Sequence, residues 1–88
     1  MEEFLMENQE VVVYISENNI YCNKVIELIE GQDVSYKIKN ITKNTDYRKE
    51  LQNEGIYGTP ALFIKGQERT ILGYQKNRIL RALNDLTN

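Results

Sequence analysis

The chain has one cysteine, one proline, no histidine and no tryptophan in 88 residues. A lone cysteine excludes a disulfide within the chain, so no covalent staple supports the small core. With no histidine beside that single thiol, a zinc site of the usual ligand types is not expected. A free thiol without a disulfide framework fits a reducing compartment, and the expected location is cytoplasmic. No apolar run approaches the roughly 18 residues that span a bilayer, so no membrane association is expected. The first ten residues are acidic and lack a basic stretch followed by an apolar one, so they do not read as a signal peptide. A surplus of positive charge is missing too: thirteen acidic residues stand against eleven basic ones. Binding to nucleic-acid phosphates would want a basic excess or stripe, and none is expected here. Lys37 and Lys39 on a strand, and Arg48 with Lys49 on a helix, read as solvated faces.

What is present fits one domain over residues 11–88 behind an N-terminal tail of residues 1–10, in which Phe4, Leu5 and Met6 sit among acids. Val11-Val12-Val13-Tyr14-Ile15 is a short, β-branched apolar run, the pattern of a strand buried on both faces. After a loop at Ser16 to Asn18, Asn19 is a good N-cap, since its side-chain oxygen can accept a backbone N–H one turn ahead. Cys22, Val25, Ile26 and Ile29 then recur at spacings of three and four, the stripe of a half-buried helix. Gly31 reads as its stop, a residue at which a positive φ is cheap.

Val34, Tyr36 and Ile38 alternate with Ser35, Lys37 and Lys39, which predicts a strand with the lysines on the wetter face. Two strands joined by a helix of this length make a right-handed parallel βαβ unit. A second helix is predicted from Thr45 to Glu54, with Tyr47 and Leu51 as its apolar edge and Gly55 as its end. Ala61-Leu62-Phe63-Ile64, a turn at Gly66-Gln67 and Thr70-Ile71-Leu72 predict a hairpin. A last helix from Gln75 to Leu86 places Ile79, Leu83 and Leu86 on one face. The fold class is α/β, in the order β-α-β-α-β-β-α, a four-stranded mixed sheet with helices on both faces.

These residues carry a resemblance. An apolar strand ending in Tyr14, a short loop and Asn19-Ile20-Tyr21-Cys22 at a helix start resemble the opening of glutaredoxins and of the small redoxins that serve ribonucleotide reductase. Gly58-Thr59-Pro60 is similar to the family's Thr/Val-Pro, in which the proline is cis, and Ile71-Leu72-Gly73-Tyr74 to its terminal hairpin. The resemblance implies a thioredoxin/glutaredoxin fold, thiol–disulfide exchange, and a thiol or disulfide protein or peptide as substrate. It also implies a reductase protein as a partner, with the redoxin itself a monomer.

One departure bears on all of this. In the family the first cysteine of the motif is the nucleophile, stabilised as thiolate by the helix N-terminus. Here that position is Asn19, and only the resolving-type cysteine, Cys22, remains. Asparagine forms no bond to sulfur, so dithiol chemistry within this chain is excluded. Cys22 has three readings: a packed core residue behaving as a small hydrophobe, a single thiol reacting with a low-molecular-weight thiol, or a metal or cofactor ligand. The resemblance makes Tyr21, Thr59, Pro60, Gly73 and Tyr74 the substrate-binding frame around Asn19 and Cys22.

No cofactor is expected. Glutathione is the one candidate, and the resemblance supports it poorly. Glutathione users carry a basic residue before the motif, where this chain has Ser16, and an acidic pair after the late glycine, where it has Tyr74-Gln75-Lys76-Asn77. Two functions follow: a redoxin that has lost dithiol activity and retains weak chemistry through Cys22, or a non-catalytic module that binds a peptide or partner.

Overall fold

The structure, a computed structural model, describes residues 10–67 and 69–87. All but the last residue of the expected 1–10 tail, with its Phe4-Leu5-Met6, lies outside that span. The elements are β1 (Val11–Ile15), α1 (Ile20–Glu30), β2 (Tyr36–Asn40), α2 (Thr45–Asn53), β3 (Ala61–Ile64), β4 (Ile71–Leu72) and α3 (Lys76–Thr87). The sheet order is β2-β1-β3-β4. β1 pairs parallel with β2 and antiparallel with β3, and β3 pairs antiparallel with β4. No described helix is long and apolar enough to cross a membrane.

β1 is buried on both faces because helices cover both. Its period-2 geometry sends Val11, Val13 and Ile15 to the side covered by α1 and α3. There they meet Val25, Ile29, Leu62, Ile64, Ile79 and Leu83 in the larger apolar core. Val12 and Tyr14 point the other way, into a smaller cluster with Leu51, Ala61, Tyr47 and Ile56 under α2. The β1 run and the α1 stripe are thus where the sequence places them.

α2 is held at both ends by local chemistry. Asn44 caps its start, the side chain accepting from the N–H groups of Asp46 and Tyr47 at 2.9 and 3.3 Å. At the far end Gly55 has φ +80°. Its N–H donates to Gln52, and that of Ile56 to Leu51, a Schellman arrangement that ties down two carbonyls. Ile56 then packs in the same cluster as Leu51.

Gly31 ends α1 as expected, with φ −78°, because its N–H still bonds to the Glu27 carbonyl in the helical manner. One expectation is corrected: Val34 and Tyr36 pack against the larger core as the alternation predicts, but at the end of β2 the burial is inverted, with Ile38 38% exposed and Lys39 only 5%. The alternation is correct, but the lysine face is the one that α2 covers. Lys39 tolerates this because its Nζ lies 2.8 Å from Glu50 Oε1, on α2. The rings of Tyr14 and Tyr47 also sit 5.4 Å from that ammonium, close enough for cation–π attraction.

Candidate functional site

The site forms where α1 begins. Asn18 turns the chain at φ 61°, a left-handed conformation that asparagine adopts more readily than most residues. Asn19 follows in extended geometry, and its Oδ1 accepts the Tyr21 N–H at 2.9 Å, as the N-cap reading requires. The other end of the same carboxamide reaches across the chain. Asn19 Nδ2 donates to the Thr59 carbonyl at 3.4 Å.

Thr59 is held from a second side, its hydroxyl 2.7 Å from that of Ser16. The Thr59–Pro60 peptide is cis. Pro60 passes the linkage on, its carbonyl accepting the Gly73 N–H at 2.8 Å. Gly73 has φ +79°, a conformation that favours glycine there. Three segments far apart in sequence are therefore tied together: the α1 start, the Thr59–Pro60 turn and the end of β4.

The other expected residues divide. Tyr21 is exposed beside Asn19. Tyr74 turns inward and packs against the larger core, with Lys24 Nζ 5.8 Å from its ring centre. It frames the site less than it anchors the β4–α3 junction. Cys22 lies one residue past Tyr21, and its N–H donates to the Asn19 carbonyl at 3.1 Å. It is 1% exposed and free. Among the described residues no group of three or more His, Cys, Asp or Glu side chains could hold a metal ion.

Beside Asn19 and Thr59 a cleft of about 410 Å³ opens toward α2, lined also by Ser16, Arg48, Gln52 and Tyr57. Arg48 donates from its guanidinium to the Ile41 carbonyl at 3.3 Å, and Tyr57 is 76% exposed. The expected groove had no basic residue before the motif. The folded chain brings one to it from α2 instead. Chemically the cleft offers a guanidinium, hydroxyls, backbone groups and an aromatic rim, but no thiol among its described lining residues.

The geometry defines a thioredoxin-fold domain, and solved structures match it. One is a mutant form of the thioredoxin-like protein BC3987, at 25% identity over 85% of this chain and 95% of that one, with a TM-score of 0.75. Glutaredoxin from Archaeoglobus fulgidus matches at 18% identity over 90% of each chain, with a TM-score of 0.73. The glutaredoxin-like NrdH-redoxin from Escherichia coli matches at 14% identity over 81% of this chain and 91% of that one, with a TM-score of 0.68. No curated protein matches the sequence. The family model for glutaredoxin matches residues 11–69, and the chain belongs to the glutaredoxin family.

Proposed function

We propose that this redoxin binds a peptide segment of a thiol- or disulfide-bearing protein in the Asn19–Thr59 cleft without turning over disulfides. One observation carries the reading: the exposed helix start holds a carboxamide, while the lone thiol is 1% exposed beneath it. A nucleophile must reach the disulfide sulfur it attacks. Asn19 reaches the cleft but has no sulfur, and Cys22 has the sulfur but does not reach it. Single-cysteine chemistry through Cys22 is accordingly the weaker of the two functions. Arg48 gives the cleft a donor for a carboxylate, so glutathione belongs among the ligands tested, although a basic residue at Ser16 and acids after Gly73 are missing. The reading sets the chain in a reducing compartment such as the cytoplasm, acting as a monomer.

The test pairs the native chain with Asn19→Cys in a disulfide-reduction assay. The native chain gives no turnover above background, and its Cys22 is alkylated only after denaturation. In Asn19→Cys, oxidised glutathione takes two electrons as the introduced thiol and Cys22 Sγ lose their protons and join, releasing two molecules of reduced glutathione. Turnover by the native chain comparable to a two-cysteine redoxin overturns the proposal. A folded variant that forms no disulfide shows that Asn19 does not hold the nucleophile position.

A further inference from the structure

A second cleft lies at the other end of β3 from the Thr59–Pro60 turn, in a region the redox motif does not use. β3 starts at Ala61, next to Pro60, and ends at Ile64. A four-residue strand separates the two ends by roughly 10 Å or more. Past Ile64 the chain turns into β4, and between that turn and α3 is a concavity of about 220 Å³. Arg69 from the turn and Arg78 and Arg81 from α3 line it, over Ile71 and Ala82. Both floor residues are buried.

The sequence explains the convergence. Arg78, Arg81 and Ala82 are spaced by three and four on α3, so they share one face. The small, buried Ala82 keeps the floor of the cleft open beside Arg78, and Arg69 lines it from the β3–β4 turn. None of the three arginines has an ion-pair partner among the described residues, whose ion pairs join Lys39 to Glu50 and Lys43 to Glu17. Asp85 also lines the cleft but lies beyond ion-pair distance of all three. The chain as a whole is net negative at −2, whereas among the described residues that line this cleft three cationic side chains meet one carboxylate.

Guanidinium groups keep their charge at any ordinary pH and present paired N–H donors that match oxyanions. Gathering three of them around one hollow costs repulsion that a bound anion removes. The size of the hollow narrows the choice. Pockets for drug-sized ligands run to about 300–1,000 Å³, so this one suits a compact, multiply charged group. A phosphoryl dianion has the charge and the three acceptor oxygens to engage three forks, which a single carboxylate does not. We infer that the Arg69–Arg78–Arg81 cleft is a binding site for a phosphoryl group, supplied as inorganic phosphate or as the monoester of a small molecule.

The test is a titration of the full chain with inorganic phosphate, and separately with glycerol 3-phosphate, followed by amide chemical shifts at constant ionic strength. Saturable shifts confined to Gln67, Arg69 and the 78–85 stretch of α3 are expected, while sodium chloride at matched ionic strength gives none that saturate. Equal affinity for the two probes assigns the site to the free anion, and tighter binding of the ester assigns it to a phosphorylated small molecule. Arg78→Gln with Arg81→Gln should weaken binding at least tenfold, with the fold checked by circular dichroism. Asp85→Asn, which removes an opposing charge from the lining, should tighten binding several-fold without touching a ligand group. Absence of saturation, shifts that chloride reproduces, or no response of affinity to these variants overturns the assignment. So does a glutamate-rich peptide that saturates the site where both phosphate probes fail, since that would make it a protein-docking surface.

Discussion

The two faces of the sheet are built on different principles, although β1 supplies side chains to both. Toward α1 and α3, its odd-numbered residues enter a core that is apolar throughout, from Val11 and Ile29 to Leu83. Toward α2, Val12 and Tyr14 meet a smaller apolar cluster and, at its edge, the Lys39–Glu50 pair with the Tyr14 hydroxyl on the same carboxylate oxygen. The first face gains its stability from area removed from water. The second adds a polar clasp that sets where α2 sits. That position matters for the site, since α2 supplies Arg48 and Gln52 to the cleft beside Thr59.

The largest expected effect comes from cutting the two cores alike. Ile29→Ala, in the larger one, should cost about 3–4 kcal/mol, since a fully buried aliphatic leaves a cavity that a close-packed surround cannot fill. Leu51→Ala, in the smaller one, should cost about 2–3 kcal/mol. That cluster borders a cleft of about 410 Å³ between Tyr14, Glu50 and Phe63, where neighbours have space to relax. Urea unfolding of both variants measures the difference, and equal losses would show that the second core is as rigid as the first.

Next in size is the clasp itself, in which the partners are unequal. The Lys39 side chain is 6% exposed and that of Glu50 43%. Removing the outer partner takes the Glu50 carboxylate away from a nearly buried ammonium, so Glu50→Ala should cost about 2–3 kcal/mol, below the 3–5 kcal/mol of a fully buried pair. Lys39→Met should cost less, because Glu50 can turn to water and methionine fills much of the lysine's space. Replacing both, as Lys39→Met with Glu50→Leu, should fall within about 1 kcal/mol of the native chain. If Glu50→Ala proves the milder single change, the inner charge is not the one under strain.

This clasp is also where reading from sequence stops. A run such as Val11–Ile15 announces a strand whichever way it is turned, and the three-and-four spacing of Cys22, Val25 and Ile29 fixes the buried side of α1. The Asn19 cap was legible for a similar reason, as a local signal, whereas Thr59, Pro60 and Gly73 were named through the resemblance to glutaredoxins. β2 offered alternation without saying which parity is covered. In a sheet packed on both faces neither parity belongs to water, and Lys39 lies inward because Glu50, eleven residues on, meets it there. Ser16, Arg48 and Tyr57 were missed as cleft residues for the same reason. Their meeting depends on where α2 docks, and no short-range pattern encodes that.

A smaller effect should appear in acid. Burial opposes ionisation of Glu50, but the hydrogen bonds from Lys39 and Tyr14, and the charges of Lys39 and Lys37, outweigh it and hold its carboxyl below the ordinary 4.5. A carboxyl whose pKa is lower folded than unfolded adds stability that is present above the unfolded value and lost as pH falls through the folded one. The native chain should therefore lose stability below about pH 4.5 more steeply than Glu50→Gln, as read by urea midpoints across that range. Parallel curves would mean that the clasp contributes nothing through ionisation.

The smallest effect, and the most specific, concerns the Tyr14 hydroxyl, which donates to Glu50 Oε1 at 2.9 Å. Tyr14→Phe keeps the ring, with its edge-on contact to Phe63 at 5.4 Å between centres, and removes only the donor, so a loss of about 1 kcal/mol is expected at neutral pH. Burial, and then the bond to Glu50, push the phenol up to about 12 from its ordinary 10.0. An acid group whose pKa is raised on folding stays protonated in the native state while the unfolded chain ionises, so its contribution falls as pH rises through that window. The advantage of the native chain over Tyr14→Phe should therefore be constant through neutral pH and shrink between pH 10.0 and about 12. The other tyrosines are common to both chains and cancel in the difference. A constant difference across that window would place the phenol in contact with water, and the clasp would then reduce to Lys39 and Glu50 alone.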